Sequence, residues 1–294
     1  MRQKIVMISN PAARGYSRNR IDAAISFLEN NGFSAELLLT RTRGHAEDMA
    51  KQAVQQRPYC IIAAGGDGTI NEVMNGMINT ETPLGILPLG TSNVLARELS
   101  VSSDPEKAMQ RIVTTAPGTV SPGRLEATAP DSSPLDRHFI LMAGIGFDAE
   151  AVLNADSGIK KISGEGAYIL SGIRSLVRYS PGELAITADG RNFTGYAAII
   201  GKAGRYGGDF RVTPDADIHA PCFYACIFHG KGRYDLLRYA AGVVLGRHLE
   251  LKGVTYLKAS EILVSGKAHI QIDGDYAGMT PARITISQDA LRLI

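Results

Sequence analysis

A short glycine-rich stretch, Gly65-Gly66-Asp67-Gly68-Thr69, offers backbone amides with almost no side chain to cover them. An apolar run precedes it and a helical pattern follows, so it lies between a predicted strand and a predicted helix. Ligands of parallel sheets bind beyond the carboxyl ends of strands, and a helix N-terminus favours phosphate. We therefore predict a phosphate site, with Asp67 orienting a ligand hydroxyl or reaching a bridging Mg²⁺. A tight turn with Asp67 or Thr69 as the helix N-cap is the simpler alternative.

Two further loops of the same character follow predicted strands. Residues 10–15 follow the first strand, and residues 88–93 follow the fourth. The simpler interpretation of the last loop is that Thr91 or Ser92 is the N-cap of the next helix. Three such loops at strand ends are, however, expected to converge on one edge of a sheet. The chain contains neither G-x-x-x-x-G-K-[ST] nor G-x-G-x-x-G, which argues against a P-loop ATPase and a standard dinucleotide dehydrogenase.

The elements that carry these loops alternate between strands and helices. Strands are predicted over residues 4–9, 35–40, 59–64 and 84–89, and helices over residues 21–28, 47–55, 70–78 and 92–99. This alternation is typical of a parallel sheet covered by helices on both faces. We therefore predict an α/β nucleotide-binding domain over residues 1–122.

The pattern changes near residue 120, where prolines, serines and a glycine interrupt it. Strands are then predicted over residues 124–128, 138–143, 183–188, 192–202, 223–229, 254–264, 269–272 and 282–287, and helices over residues 159–178 and 234–247. Asp189-Gly190 and Asp273-Gly274 are typical of hairpin turns. Residues 123–294 are therefore predicted to form an antiparallel β-sandwich domain.

The composition limits the class of protein. The chain has 294 residues, 45% of them hydrophobic, and a net charge of +2. This length suits one large domain or two domains of ordinary size, and the hydrophobic content is enough for a sizeable core. The low net charge argues against bulk nucleic-acid binding. Three cysteines form no disulfide framework, which favours reduced, buried thiols in the cytoplasm. No stretch approaches the ~20 apolar residues of a membrane span, and the first apolar run breaks at Asn10-Pro11, too soon for a signal peptide.

The glycine loop resembles the lipid-kinase branch of a superfamily when it is taken together with the residues that follow it. The matching stretch runs from Gly65 to Val73 and continues with Asn75-Gly76. That superfamily comprises diacylglycerol kinases, sphingosine kinases, NAD kinases and phosphofructokinases. Further matches are Asn10-Pro11 with Gly15, Thr40 with Gly44-His45-Ala46, Pro88-Leu89-Gly90-Thr91-Ser92-Asn93 with Ala96-Arg97, Tyr206-Gly207-Gly208, Pro214-Asp215-Ala216-Asp217 and Ile272-Asp273-Gly274-Asp275. Because these matches keep their order along the chain, they are specific for the superfamily, although they say little about the substrate.

The resemblance implies an ATP site, with Mg²⁺, between the α/β domain and the β-sandwich domain. It implies nucleotide contacts from Asn10, Pro11, Gly15, Thr40, Gly65, Gly66, Asp67, Gly68, Thr69, Asn71, Glu72, Gly90, Thr91 and Asn93. It also implies that Asp273 is the catalytic base. Asp275 stands where the family commonly has glutamate, and as a second catalytic carboxylate it would help bind Mg²⁺ or raise the pKa of its neighbour.

One stretch departs from the family pattern. After Pro214-Asp215-Ala216-Asp217 the family usually carries Asp-Gly, whereas this chain reads Ala220-Pro221. That aspartate belongs to a metal site in some bacterial members of the family. No metal ligands are therefore predicted at this position.

These observations together predict an ATP-dependent lipid kinase. Its acceptor would be a hydroxyl of diacylglycerol, a sphingoid base or a related lipid at a membrane surface, and a homodimer is compatible with the sequence. Residues 159–178 have the pattern of a basic amphipathic helix, which either lies at an anionic surface or packs on the sandwich. Two alternatives remain open: an NAD kinase-like enzyme, and a non-catalytic nucleotide-binding regulator, which Ala220-Pro221 would support.

Overall fold

The computed structural model describes residues 2–153, 181–288 and 290–294. The chain divides into two compact units, the first formed by residues 1–121 with 288–294 and the second by residues 122–287. The helix predicted over residues 159–178 lies outside the described residues. Within the described ranges, no helix is long and apolar enough to cross a membrane. All three cysteines are free and buried.

The first unit is built on a six-stranded sheet with the order β2-β1-β3-β4-β19-β5. Its elements are β1 (Gln3–Ser9), α1 (Arg18–Asn30), β2 (Phe33–Leu39), α2 (His45–Val54), β3 (Cys60–Gly65), α3 (Asp67–Met77), β4 (Leu84–Pro88), α4 (Val94–Glu98), α5 (Pro105–Thr114), β5 (Gly118–Val120) and β19 (Leu291–Leu293). The first four strands are parallel. The predicted α/β architecture is therefore confirmed.

Burial explains why the central strands read as continuous apolar runs. Every residue of β3 and β4 is buried, because helices cover both faces of a parallel sheet. On one face, Ile21 and Leu28 of α1 and Met109 of α5 pack against Ile62 of β3 in a single cluster. Gly32 has a φ of +88°, a left-handed conformation that glycine adopts without strain, and it follows the end of α1 as predicted.

The second unit is built on one antiparallel sheet of eleven strands. Its strands are β6 (Gly123–Thr128), β7 (Pro134–Phe139), β8 (Met142–Ile145), β9 (Leu184–Ala188), β10 (Arg191–Gly195), β11 (Ala197–Gly201), β14 (Phe223–Phe228), β15 (Val254–Ala259), β16 (Glu261–Ser265), β17 (His269–Ile272) and β18 (Asp275–Ile286), with a small hairpin of β12 (Arg205–Tyr206) and β13 (Phe210–Arg211). The helices within its described residues are α6 (Phe147–Leu153), α7 (Arg233–Val244) and a 3₁₀ turn (His248–Glu250).

The large sheet curls around its own core. Its main strand order is β10-β9-β16-β18-β17-β8-β11-β14-β15, and β6 pairs with both β18 and β7. Phe139, Phe223, Ile262 and Ile284 come from strands spread across the sheet, yet they pack into one buried cluster. The predicted antiparallel β domain is confirmed, and its strands form a single curled sheet.

Several elements differ from the prediction. The strands predicted over residues 192–202 and 254–264 are each two strands, broken at Tyr196 and Ser260. Two helices, α5 and α6, were missed, although Asp104 before Pro105 is an N-cap signal, and its carboxylate accepts the Lys107 amide at 3.0 Å. Residues 288–294 return to the first unit, where β19 runs parallel to β4 and antiparallel to β5. A three-residue strand is too short to show a period.

Candidate functional site

Three loops meet at one edge of the first unit. Because β1, β3 and β4 are parallel neighbours, their carboxyl ends lie side by side. The amide of Asn10 donates to the Ala64 carbonyl at 3.0 Å, and that of Gly15 donates to the Leu89 carbonyl at 2.8 Å. The Leu89 amide in turn donates to the Gly65 carbonyl at 2.8 Å. The convergence expected from the sequence is thus observed.

The glycines of this edge allow two loops to pack backbone against backbone. A Cβ added to Gly90 would lie 2.5 Å from the Cα of Gly66. One added to Gly65 would lie 2.5 Å from the side chain of Thr69. Contacts that short do not occur between real carbons, so larger residues would force the loops apart. Glycine is therefore required here for packing, independently of the predicted phosphate site.

Asp67 links the two glycine loops. Its carboxylate oxygens accept the amides of Val94 at 3.0 Å and Leu95 at 3.1 Å, at the start of α4. Burial raises the pKa of Asp67 above its usual value, and the amide donors oppose that shift. The simpler alternative, in which Asp67, Thr69, Thr91 or Ser92 caps the helix that follows its own loop, is wrong. The N-cap of α3 is Gly66, and α4 is capped from outside by Asp67 rather than by Thr91 or Ser92.

Asn93 holds the second glycine loop closed. It has a φ of +45°, a left-handed conformation that asparagine tolerates. Its Oδ1 accepts the Gly90 amide at 2.8 Å, and its Nδ2 donates to the Gly90 carbonyl at 2.9 Å. The amide of Gly90 is thus engaged within the loop. At the other loop, by contrast, no side chain caps α3 at Gly66, so that helix N-terminus remains suited to an anion.

Glu72 repeats the role of Asp67 at a neighbouring helix. Its carboxylate accepts the amides of Gly44 at 2.8 Å and Ala46 at 3.2 Å, and so caps α2. The residue before α2 is Gly44, which has no side chain to serve as a cap. Sequence reasoning missed these two long-range caps. Gly44 before α2 was the available signal for the cap by Glu72. The start of α4 gave no such signal, because Ser92 and Asn93 precede it and both residue types commonly cap helices.

The remaining predicted nucleotide residues lie along the same edge. The Nδ2 of Asn10 is 3.4 Å from Thr69 Oγ1, and the Thr40 amide donates to the Ser9 carbonyl at 2.9 Å. Asn71 is buried in α3 and accepts hydrogen bonds from Asn75. The other predicted positions range from exposed to half-buried and are Pro11, Gly15, Gly68 and Thr91.

Asp273 and Asp275 belong to the second unit. Asp273 and Gly274 have φ values of +49° and +87° and form the turn between β17 and β18, as predicted. Asp273 is buried, with 8% of its surface exposed. It accepts the amides of residues 140, 141 and 142 at 3.0, 2.9 and 3.0 Å. These three donors fix its position, while Asp275 is half-buried at the start of β18.

A buried aspartate near this turn was not predicted. Asp148 Oδ2 accepts the Nε2 of Gln271 at 2.6 Å, and its other oxygen accepts the hydroxyl of Tyr206. The Oε1 of Gln271 accepts the Gly274 amide at 2.8 Å, which joins Asp148 to the Asp273-Gly274 turn. Burial raises the pKa of Asp148 to about 6. A Cβ on Gly144 would lie 1.7 Å from this carboxylate, so glycine there makes room for it.

Asp148 lies in the wall of an apolar cavity of about 580 Å³. The other lining residues are mostly apolar and include Phe147, Ala197, Ile199, Phe228, Leu236, Leu237, Ala241, Val244 and Leu245. Among the described residues that line it, Asp148 is the one with a carboxylate. The cavity therefore offers a mostly apolar surface with one carboxylate in its wall.

A buried lysine binds the backbone at Ala220-Pro221, where the sequence departs from the family pattern. Lys202 is fully buried, and its ammonium donates to the carbonyl oxygens of Asp217, at 2.7 Å, and Ala220. Burial lowers the pKa of Lys202 to about 8. In the part of the chain that is described, no three His, Cys, Asp or Glu side chains cluster as metal ligands.

Comparison with known proteins places these features in a family. The model of the diacylglycerol kinase catalytic domain matches residues 4–125, and that of the YegS C-terminal NAD kinase beta sandwich-like domain matches residues 142–294. The chain is 29% identical to a diacylglycerol kinase of Bacillus subtilis (strain 168), over 94% of this chain and 90% of that protein. It is 30% identical to a diacylglycerol kinase of Staphylococcus aureus (strain bovine RF122 / ET3-1), over 96% and 89%.

A solved structure agrees with these sequence matches. The crystal structure of a diacylglycerol kinase from Bacillus anthracis str. Sterne superposes with a TM-score of 0.77 at 22% identity, covering 99% of this chain and 96% of that one. At that identity the superposition shows the fold. Together with the family models, it shows that the chain belongs to the diacylglycerol kinase family. The predicted resemblance is confirmed, and the protein is a kinase.

Proposed function

We propose that this kinase transfers the γ-phosphoryl group of ATP to a hydroxyl of diacylglycerol, a sphingoid base or a related lipid. The apolar cavity beside Asp148 carries the proposal. Its volume of about 580 Å³ lies within the range of roughly 300–1,000 Å³ that is common for small-molecule sites. Apolar walls suit methylene chains, whereas a dinucleotide would leave charged groups against them. The cavity thus favours a lipid acceptor over an NAD kinase-like one.

The carboxylate in the cavity wall suits the acceptor hydroxyl. Tyr206 and Gln271 hold the carboxylate of Asp148 in place, so Asp148 would orient the hydroxyl while the chain occupies the apolar part. Gln271 also contacts the turn that carries Asp273. These contacts connect the acceptor site and the proposed base within one unit.

The converging loops of the first unit would bind the nucleotide. The N-terminus of α3 has no side-chain cap, and its first-turn amides suit phosphate oxygens. Since the described residues hold no cluster of three metal ligands, we propose that Mg²⁺ arrives with ATP, as is common for a metal held mainly by phosphates. When bound, Mg²⁺ offsets the charge of the transferred group.

The proposed step needs one proton acceptor. The acceptor oxygen forms a bond to the γ-phosphorus, the bond from that phosphorus to the bridging oxygen breaks, and ADP leaves. The hydroxyl proton moves to the carboxylate of Asp273. Phosphoryl transfer proceeds through a loose transition state in most analyses, so a well-placed carboxylate suffices. The three amides that contact Asp273 fix its position and favour the ionised carboxylate, the form that can accept a proton.

Transfer from ATP labelled at the γ-phosphate, with Mg²⁺ and a mixed lipid extract, tests the proposal. The wild type should label a lipid and leave NAD unlabelled in a parallel reaction. Asp273→Asn, which keeps the side-chain shape, should lower kcat by ~10²–10⁴ and leave ATP binding intact. Asp275→Asn tests the second predicted catalytic carboxylate in the same assay, and Asp136→Asn, at an exposed position of β7, is the control for a lost charge. A labelled dinucleotide with no labelled lipid would overturn the lipid acceptor, and full activity of Asp273→Asn would exclude it as the base.

A second variant tests the cavity itself. Ala241 lines the cavity from α7 and is exposed, so phenylalanine there would fill part of the volume without disturbing the core. Ala241→Phe should raise KM for the lipid and leave KM for ATP unchanged. Equal KM values for the lipid in both forms would show that the chain binds elsewhere.

A further inference from the structure

We propose that the outer face of α7 docks on an anionic lipid bilayer and brings the cavity opening to the membrane. This outer face, called the α7 stripe below, consists of Tyr234, Leu237, Ala240, Ala241, Val244 and Leu245. The inference rests on the proposed function for its purpose, because a lipid acceptor must leave a membrane to enter the cavity. The surface itself is argued from exposure, position and charge.

The stripe concentrates apolar side chains in solvent. The exposed fractions are 77% for Tyr234, 49% for Leu237, 53% for Val244 and 72% for Leu245. Leu237, Val244 and Leu245 lie three, ten and eleven residues after Tyr234, which places all four on one side of the helix. Single exposed apolar residues need no explanation, but a contiguous row of this kind marks an interaction surface.

The fold does not need the stripe for its own core. The opposite face of α7 already buries Leu236, Tyr239 and Gly242. The helix is also anchored by polar bonds, since Arg238 donates to the Lys252 carbonyl at 2.6 Å and the Tyr239 hydroxyl donates to the Gly253 carbonyl at 3.0 Å. As far as residues 2–153, 181–288 and 290–294 are concerned, the outer apolar side chains therefore remain available to a partner.

The stripe coincides with the opening of the cavity. Five of its members, all except Tyr234, also line the cavity, and all of them are exposed to solvent. Side chains that face both the cavity and the solvent mark the place where the two connect. A partner on the stripe therefore sits directly at the entrance of the proposed acceptor site.

Charge indicates which partner fits. Lys231 and Arg233 are exposed at the start of α7, and Arg247 is exposed just after its end. The stripe itself holds no acidic residue, and Asp235, the acid of α7, is half-buried and turned to the Gly232 amide at 3.3 Å. An apolar row with cations at both ends matches an anionic membrane surface.

The same charges disfavour a second copy of the chain as the partner. In a two-fold symmetric pair of antiparallel helices, each residue at one end faces the other end of the partner helix. Lys231 and Arg233 would then meet Arg247 of the partner subunit. Like charges opposed in this way cost binding energy, whereas anionic headgroups would neutralise all of them.

Sedimentation with vesicles, in the absence of ATP, tests the docking. The wild type should bind vesicles of phosphatidylglycerol and phosphatidylcholine more tightly than vesicles of phosphatidylcholine alone. Arg233→Glu with Arg247→Glu should weaken binding to the anionic vesicles by about tenfold or more, since each surface cation contributes about fivefold. Tyr234→Glu should weaken it as well. Leu263→Glu, the same change at a residue 41% exposed on β16, should have little effect.

A monomeric substrate separates this inference from the proposed function. The three variant residues lie outside the cavity lining, so turnover of a short-chain diacylglycerol below its aggregation limit should stay at the wild-type level. Turnover of the same lipid in vesicles should fall with vesicle binding. Unchanged vesicle binding by Tyr234→Glu overturns the docking and leaves the kinase intact. Vesicle binding by a wild type that phosphorylates neither form of the lipid supports the docking and overturns diacylglycerol as the acceptor.

Sedimentation velocity tests whether a second copy of the chain, instead of a membrane, binds the α7 stripe. A wild-type monomer at assay concentration supports a membrane partner. A wild-type dimer that Tyr234→Glu converts to a monomer would assign the α7 stripe to a second copy, and so would overturn the proposal.

Discussion

Replacing Asp67 with alanine should loosen the start of α4 before it affects any ligand. The carboxylate of Asp67 is the acceptor for the amides of Val94 and Leu95. Both of those residues are buried, with exposed fractions of 5% and 0%, so water reaches their amides poorly. In the Asp67→Ala protein two donors lose their acceptor at once. The second glycine loop would then lose its connection to the first.

The size of the effect follows from those two bonds. A buried donor left without a partner costs about 1–3 kcal/mol. The gross cost for two is about 2–6 kcal/mol, but Asp67 is itself partly desolvated, as its raised pKa shows, and removing it recovers part of that penalty. We expect a net loss of about 2–4 kcal/mol. Asp67→Asn keeps one acceptor and should lose about half as much.

Amide hydrogen exchange measures this loss where it occurs. A local cost of about 2–4 kcal/mol corresponds to exchange about 30- to 900-fold faster at Val94 and Leu95. Asp104→Ala is the matched control, because it removes an aspartate that caps α5 through the Lys107 amide. It should affect exchange near α5 by about 1 kcal/mol and leave α4 unchanged.

One result would refute this reasoning. If Asp67→Ala left exchange at Val94 and Leu95 unchanged but abolished phosphoryl transfer, Asp67 would act on the ligand directly. If it accelerated exchange and weakened ATP binding in proportion, the linking role would account for the loss of activity. Calorimetric ATP binding by the same proteins supplies the comparison.

Two further predictions rest on packing and on titration. Gly90→Ala places a Cβ 2.5 Å from the Gly66 Cα, which should lower the free energy of unfolding by about 1–3 kcal/mol. The variant should also bind ATP more weakly in calorimetry. Gly182→Ala is the control, because its Cβ would have no atom nearer than 3.3 Å, and it should leave ATP binding unchanged. Burial raises the pKa of Asp148 from 3.8 to about 6, so the folded state binds more protons in this range, and ionisation destabilises it as pH rises. Relative to Asp148→Asn, the wild type should lose up to about 3 kcal/mol of unfolding free energy between pH 4 and pH 7 in urea denaturation. A difference that stays constant with pH would show that the carboxyl is not buried.

The first unit was predictable because its signals are local. The buried strands β1, β3 and β4 are short apolar runs ended by glycine, proline or asparagine. Such a run predicts a buried strand without information about distant residues. Parallel pairing then places their carboxyl ends together by topology. The helix α5 was equally local, through Asp104 and Pro105, and was missed only because its signal was not used.

The strand divisions and the last strand depended on distant partners. The strand predicted over residues 254–264 is broken at Ser260, whose amide and hydroxyl bind the carboxylate of Asp189 in a turn 71 residues away. The three residues of β19 become a strand only because β4 and β5 leave space between them. Neither partner is visible from the local pattern.

The sequence by itself determined the fold class, the loops that gather at one sheet edge and the family, because these depend on local pattern and on motif order. Tertiary structure alone decided what the acids do. Asp67 caps α4 through Val94, 27 residues away, and Glu72 caps α2 through Gly44 and Ala46, 28 and 26 residues away. Asp148 lines an apolar cavity, and Lys202 binds the carbonyl oxygens of a turn. Hydrogen-bond partners, burial and enclosed volume arise only when distant segments meet, so no single stretch of residues could display them.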